Sequence, residues 1–290
     1  MSPHALAAEV TGLFSLPDLV LRACAVMESP TASAQDLVDV IQLDANIAAT
    51  VLRLANSVFY AGRGRIDTLT RAVALIGHNA LHDLVLATAA VKSFRGIPAE
   101  FVDMHSFWAN STATAVIARL IAGRGRSGEG ETLFLSGLLH GVGRLVFYAR
   151  RPAQYRQVLA LAQAGDMSLV DAEVKVFGFH YAEAGAALLE SWDLPERLYV
   201  PVRHHLDPAA APNFHRESAV IHLAAQMACD IAPCPKTMQE AETYVPDPHA
   251  VHSMQLLGLT PAALTEISLD AMAMSRDVLD IINPTTSAVR

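Results

Sequence analysis

Residues 37–55 read LVDVIQLDANIAATVLRLA, and their apolar side chains recur three and four positions apart: Leu37, Val40 and Ile41, then Ile47, Val51, Leu52 and Leu54. That spacing lays one apolar stripe along each of two helices, because an α-helix turns once in about 3.6 residues. Polar residues mark the boundaries. Ser33 followed by Asp36 has the form of a capping box, and Asp44 can cap the second helix by accepting from its first unpaired N–H groups. Working outward, Thr68 precedes another apolar-periodic run that Gly77 can end. Period-two alternation is scarce, so residues 1–95 are predicted to form several short helices.

The Gly96-Ile97-Pro98 break ends that block. A second helical block opens around Met104–Ile121 and continues through turns at Gly123–Gly130, Gly165, Gly178 and Leu194-Pro195. Ala232–His249 is richer in proline and polar residues and reads as a long connection, after which Thr260-Pro261 supplies a cap and a proline at a first helical position. No repeat of fixed period and no low-complexity tract interrupts this pattern. The expected fold is all-α in two packed helical lobes, 1–95 and 96–236, with 237–290 as a connection and acidic helical extension on the second lobe.

The chain has 290 residues, 52% hydrophobic and 17% charged, which suits a buried core and excludes general disorder. Acidic residues outnumber basic ones 29 to 21, against the basic excess that phosphate neutralisation gives a general nucleic-acid binder. The imbalance is uneven, since 217–290 carries 9 acidic and 3 basic side chains and so holds −6 of the net −8. Cys24, Cys229 and Cys234 form no C-x-x-C pair, which argues against a disulfide scaffold or zinc ribbon. The N-terminus lacks signal-peptide character, and no stretch is read as the roughly 18 apolar residues of a membrane span. The expectation is a soluble cytoplasmic protein with reduced thiols.

Among 12 histidines, His140, His180, His204 and His205 stand at helix starts or ends. A single histidine on an apolar helix is more often packed or solvated than a ligand, so these matter only as a set. Arg63, Arg65, Arg124 and Arg126, with Arg150-Arg151, form short basic clusters that could pair with phosphates or an acidic partner through their forked donors. Lacking interleaved aromatics, they read more simply as solvated loops. Asn56-Ser57 at a helix end reads as structural, its side chains bonding to backbone. In the tail, Glu266, Asp270, Asp277 and Asp280 alternate with Ile267, Leu269, Met272, Met274 and Leu279, an amphipathic helix expected to dock on its own core.

Several segments in order resemble the HDOD domains, a divergent branch of the HD superfamily of metal-dependent phosphohydrolases. They are Leu16-Pro17, Asp44–Ile47, Leu52–Ser57, Ile66 with Ala72–Gly77, Phe107-Trp108, LSGLLHGVGRL (135–145), His180–Gly185, Trp192–Pro195 and His204-His205. The resemblance implies that the second lobe is a degenerate HD-like helical bundle. Active HD enzymes hold metal through a His, an adjacent His-Asp pair and a late Asp, with further histidines for a second ion. The corresponding positions here carry Asn110, His140-Gly141 and Ala225. Loss of those carboxylates removes the anionic charge that would hold two cations and acidify a bridging water.

The resemblance therefore implies a vestigial pocket at Asn110, His140, Gly141, His180, His204, His205 and Ala225, with no metal and no cofactor. The implied role is a non-catalytic regulatory or scaffolding module of bacterial signal transduction, in a two-component or cyclic-di-GMP pathway. Its partner is expected to be a signalling protein acting in trans, with a homodimer left open and neither membrane nor nucleic acid expected. The alternative is a degenerate phosphohydrolase holding one metal through His140, His180 and His204 or His205 and acting on a nucleotide or phosphate ester.

Overall fold

A computed structural model describes residues 1–10, 14, 16–29, 31–60, 66–94, 97–124, 130–165, 167–232 and 248–283. Every regular element among them is helical. The local signals act as their chemistry requires: Ser33 and Asp36 close a reciprocal capping box at the start of α3 (Ala34–Ile41). Asp44 accepts from the N–H groups of Asn46 and Ile47 at 2.8 and 3.0 Å and so starts α4 (Ala45–Ala55). Thr68 caps α5 (Leu69–Ile76), which ends at Gly77 with φ 95°.

Contacts divide the chain into two units, residues 15–94 with 273–290 and residues 1–14 with 95–272. In the smaller unit α2 (Asp18–Glu28), α3, α4 and α5 pack on α6 (His78–Ser93). Asn56, after α4, bonds to the Ile66 backbone in both directions, its Oδ1 accepting from the Ile66 N–H at 2.8 Å. Ser57 donates to the Leu54 carbonyl at 2.7 Å, so this pair closes a loop as expected of a structural motif.

The larger unit contains α1 (Pro3–Val10), α7 (Met104–Arg124), α8 (Gly130–Leu139), α9 (Val142–Arg150), α10 (Pro152–Gln163), α11 (Leu169–Phe177), α12 (Tyr181–Ser191), α13 (Glu196–His204), α14 (His215–Ile231) and α15 (Pro248–Leu257). α16 (Pro261–Ile282) starts in this unit and ends in the smaller one. α7 is buried at every position from Phe107 to Ala118 and is the core helix against which α8 and α14 pack. Glycine allows the closest approach of α9 to α12, where a Cβ on Gly143 would overlap the Tyr181 carbonyl.

These two units divide the chain differently from the contiguous boundaries 1–95, 96–236 and 237–290. α1 belongs to the larger unit because Leu6, Ala7 and Val10 are buried as it packs on α12 and α9, and Arg151 grips the Glu9 carboxylate at 2.7 Å. In α16 the buried residues are Ile267, Ala271, Val278, Leu279 and Ile282, whereas Leu269 and Met272 are exposed. Leu269 stands two residues, about 200°, from Ile267 and so cannot share its face. Among the described residues, the stretch Gly130–Arg150 is long and apolar enough to cross a membrane, contrary to the expectation of none, but 89% of its apolar 18-residue window is buried.

Candidate functional site

The site lies wholly in the larger unit, where the C-terminal end of α8, the start of α9 and one face of α14 meet α7. α14 presents His222, Ala225, Gln226 and Cys229 at helical positions i, i+3, i+4 and i+7, which align on one face. These residues, with Asn110, His140, Arg144, Tyr181 and His205, line a cavity of ≈ 100 Å³. A smaller one of ≈ 10 Å³ adjoins it and shares Asn110, His140 and Arg144 while adding Phe107 and Gly141.

Three buried histidines link the helix ends by the same device. His140 Nδ1 donates to the Gly137 carbonyl, His205 Nδ1 to the Val202 carbonyl and His222 Nδ1 to the His205 carbonyl, each at 2.7 Å. A carbonyl only accepts, so each ring carries a proton on Nδ1, and in its neutral form presents Nε2 as an acceptor. His205 Nε2 takes the Tyr181 hydroxyl at 2.8 Å, and its ring meets that of His140 edge to face with centroids 5.4 Å apart. Burial holds His140 neutral and lowers its pKa to about 4, with Arg144 adding to the shift and the Gly137 bond opposing it. Burial, with the neighbouring His140, pushes His205 well below the usual histidine range.

Arg144 is 4% exposed. Its guanidinium lies 3.8 Å over the Tyr181 ring, and its Nε is 3.5 Å from Glu173 Oε1. Glu173 is fully buried and also accepts from the Tyr155 hydroxyl at 2.9 Å and the Tyr181 N–H at 2.8 Å. Burial works against the Arg144 charge, but Tyr181, Glu173 and two further tyrosines more than offset it and hold the group cationic. A cation therefore forms part of the wall between the two cavities.

The structure brings together Asn110, His140, Gly141, His205 and Ala225 from the expected set. Two others stand outside both linings. His204 is half-buried at the end of α13 and lines neither cavity; its neighbour His205, about 100° further round, turns inward instead. His180 sits before α12, its Nε2 3.5 Å from Glu183, and its backbone N–H completes a box with that carboxylate at 3.0 Å. Of the alternative set His140, His180 and His204 or His205, His140 and His205 line the cavity. Reasoning from sequence missed His222, Arg144, Tyr181 and the Glu173–Tyr155 pair. Only His222 had a legible signal, the polar row His222, Gln226 and Cys229 within an apolar helix.

The donor set does not suit a two-metal centre. A Cβ on Gly141 would stand 3.3 Å from the Phe107 ring, so an aromatic edge fills the space beside the missing side chain. Among the described residues no group of three His, Cys, Asp or Glu side chains is arranged to hold a metal ion. Arg124 is not a free surface cation: it donates to the Ala263 carbonyl at 2.6 Å and to Glu266 at 3.1 Å, fastening α16 to α7. Arg63, Arg65 and Arg126 lie outside the described residues.

The HDOD domain model matches residues 13–208. A solved HDOD domain protein of unknown function from Geobacter sulfurreducens is 24% identical with a TM-score of 0.73, over 97% of each chain. A candidate phosphohydrolase of Shewanella amazonensis SB2B is also 24% identical, with a TM-score of 0.75 over 96% of this chain and 98% of that one. A candidate signal transduction protein of Marinobacter aquaeolei VT8 is 23% identical, with a TM-score of 0.66 over 94% of this chain and 60% of that one. An uncharacterized protein of Treponema pallidum (strain Nichols) is 23% identical over 212 residues, 73% of this chain and 41% of the relative, so the chain spans less than half of that protein. At these identities the likeness to the solved structures is one of fold.

Proposed function

The chain belongs to the HDOD domain family, and from that premise we propose that it is a non-catalytic regulatory module that acts on a signalling protein in trans. The observation that carries this reading is the wall at Gly141. A Cβ there would stand 3.3 Å from the edge of the Phe107 ring, which crowds any side chain at that position, and Arg144 places a buried cation beside His140. A divalent ion there would meet like charge and no bridging anion in a setting of low dielectric. Asn110 and Ala225 add no anionic ligand. Retention of the surrounding fold without that chemistry supports a role in binding, and a site in the cytoplasm suits such a role.

Elemental analysis of protein purified without metal-affinity resin, combined with a phosphate-ester and nucleotide hydrolysis screen, tests the reading. The expected result is substoichiometric metal unchanged in His140→Ala and no metal-dependent turnover. Stoichiometric metal and turnover that both vanish in His140→Ala would overturn it. The competing reading, a degenerate phosphohydrolase, is favoured by one observation: His140, His205 and His222 gather at a single cavity.

A further inference from the structure

A further cavity, ≈ 220 Å³, lies in the larger unit at the joint between α15 and α16 and shares no residue with the two at His140. Ile121 of α7, Leu133 of α8, Val220 of α14 and Leu257 of α15 give it apolar walls. It exceeds an engineered cavity of about 150 Å³ that takes up benzene, so it has room for a branched or aromatic side chain. The joint is fastened on both sides. Arg216 Nη1 donates to the Leu256 carbonyl at 2.8 Å, and Arg124 donates to the Ala263 carbonyl at 2.6 Å.

Three charged side chains line this cavity: Arg124, Arg216 and Glu217. Arg124 is matched by Glu266 at 3.1 Å. Arg216 commits Nη1 to Leu256 and pairs with no carboxylate among the described residues, so the rest of its donor fork is available. The half-buried Glu217 side chain has neither an ion pair nor a hydrogen bond among the described residues. The two are consecutive on the first turn of α14, with Cα atoms about 3.8 Å apart. Neighbours one position apart on a helix do not face each other, which is why they border one cavity without pairing. A simple anion on Arg216 would lie near the Glu217 carboxylate, and a simple cation on Glu217 near the guanidinium. A ligand carrying both charges on adjacent atoms avoids either repulsion.

We propose that this cavity binds an apolar α-amino acid. Its carboxylate accepts from the available donors of Arg216, its ammonium donates to Glu217, and its side chain lies among Ile121, Leu133, Val220 and Leu257. Arg216 and Glu217 stand outside the residues 13–208 that match the family, so the site belongs to the C-terminal helices of this chain. It is independent of the metal-free reading of the His140 pocket.

Isothermal titration calorimetry on the full chain tests the proposal with L-leucine and L-phenylalanine, each beside its amide, which lacks the carboxylate, and its deaminated acid, which lacks the ammonium. At least one of the two amino acids is expected to saturate a single site. Its amide and its deaminated acid should each bind at least ~10-fold more weakly, since each leaves one charged group without its partner. This series needs no variant. Glu217→Gln, a change of charge without a change of shape, should weaken the amino acid by a similar factor and so place the binding at this cavity. Saturation by neither amino acid, equal binding of the amide or the deaminated acid, or unchanged affinity in a folded Glu217→Gln would each overturn the proposal. None of these results alters the reading of the His140 pocket, which elemental analysis tests separately.

Discussion

The Tyr181 hydroxyl donates to His205 Nε2 at 2.8 Å, while His205 donates from Nδ1 to the Val202 carbonyl at 2.7 Å. The first residue of α12 is thereby tied to the end of α13, and both ring nitrogens of a 1% exposed histidine are satisfied. Tyr181→Phe keeps the ring under Arg144 but removes the donor. We expect a loss of about 1–3 kcal/mol in urea unfolding, the cost of leaving a buried acceptor unpaired. No change in the unfolding midpoint would show that the bond contributes nothing.

The neutral His140 links stability to acid. Its pKa is about 4 in the folded state against 6.5 for the ordinary group. Between those values the unfolded chain binds more protons, so stability is fully present above pH 6.5 and falls as pH drops towards 4. The shift corresponds to about 3 kcal/mol, and His205, displaced in the same direction, adds to the slope. Unfolding free energies measured across this range should show a shallower fall in His140→Gln; an identical slope would place the acid sensitivity elsewhere.

Two glycines separate close packing from mere helix propensity. Gly143→Ala forces a Cβ into the Tyr181 carbonyl, where backbone rather than a flexible side chain must move, so a loss of about 3 kcal/mol or more is expected. A Cβ on Gly123 meets nothing within 4 Å, and Gly123→Ala should stabilise α7 by up to about 1 kcal/mol. Thermal unfolding of both variants checks the sign of each; similar effects in the two would show that α9 and α12 are not in close contact.

Arg124 acts as a clamp. Arg124→Ala removes the donors to Ala263 and Glu266, and a surface ion pair of this kind contributes little, about 1 kcal/mol at most. The expected effect is local: faster amide exchange in the first turns of α16 with the rates in α7 unchanged. Uniformly faster exchange would instead mean that α16 unfolds together with the core.

The elements whose cause is local are legible in the amino-acid sequence. Ser33 with Asp36, Asp44, Thr68 and the Thr260-Pro261 start act through bonds within a turn or so of their own position, and apolar periodicity of 3.6 residues needs only the helix itself. The residues His140, Gly141, Asn110 and Ala225 are likewise identifiable, through ordered segments resembling a family. What is not legible is anything decided by a partner far along the chain. Whether His204 or His205 turns inward depends on how α13 rolls against α12 and α14. That Arg144 is a buried cation depends on Glu173 and Tyr181, some 29 and 37 residues away. That Gly141 is covered depends on Phe107 from another helix. Sequence alone determined the helices, their boundaries and the absence of carboxylates at the pocket, because those follow from nearest neighbours and composition. Tertiary structure alone decided the protonation, the charge and the occupied space of the pocket, because burial and distance exist only once the helices have packed.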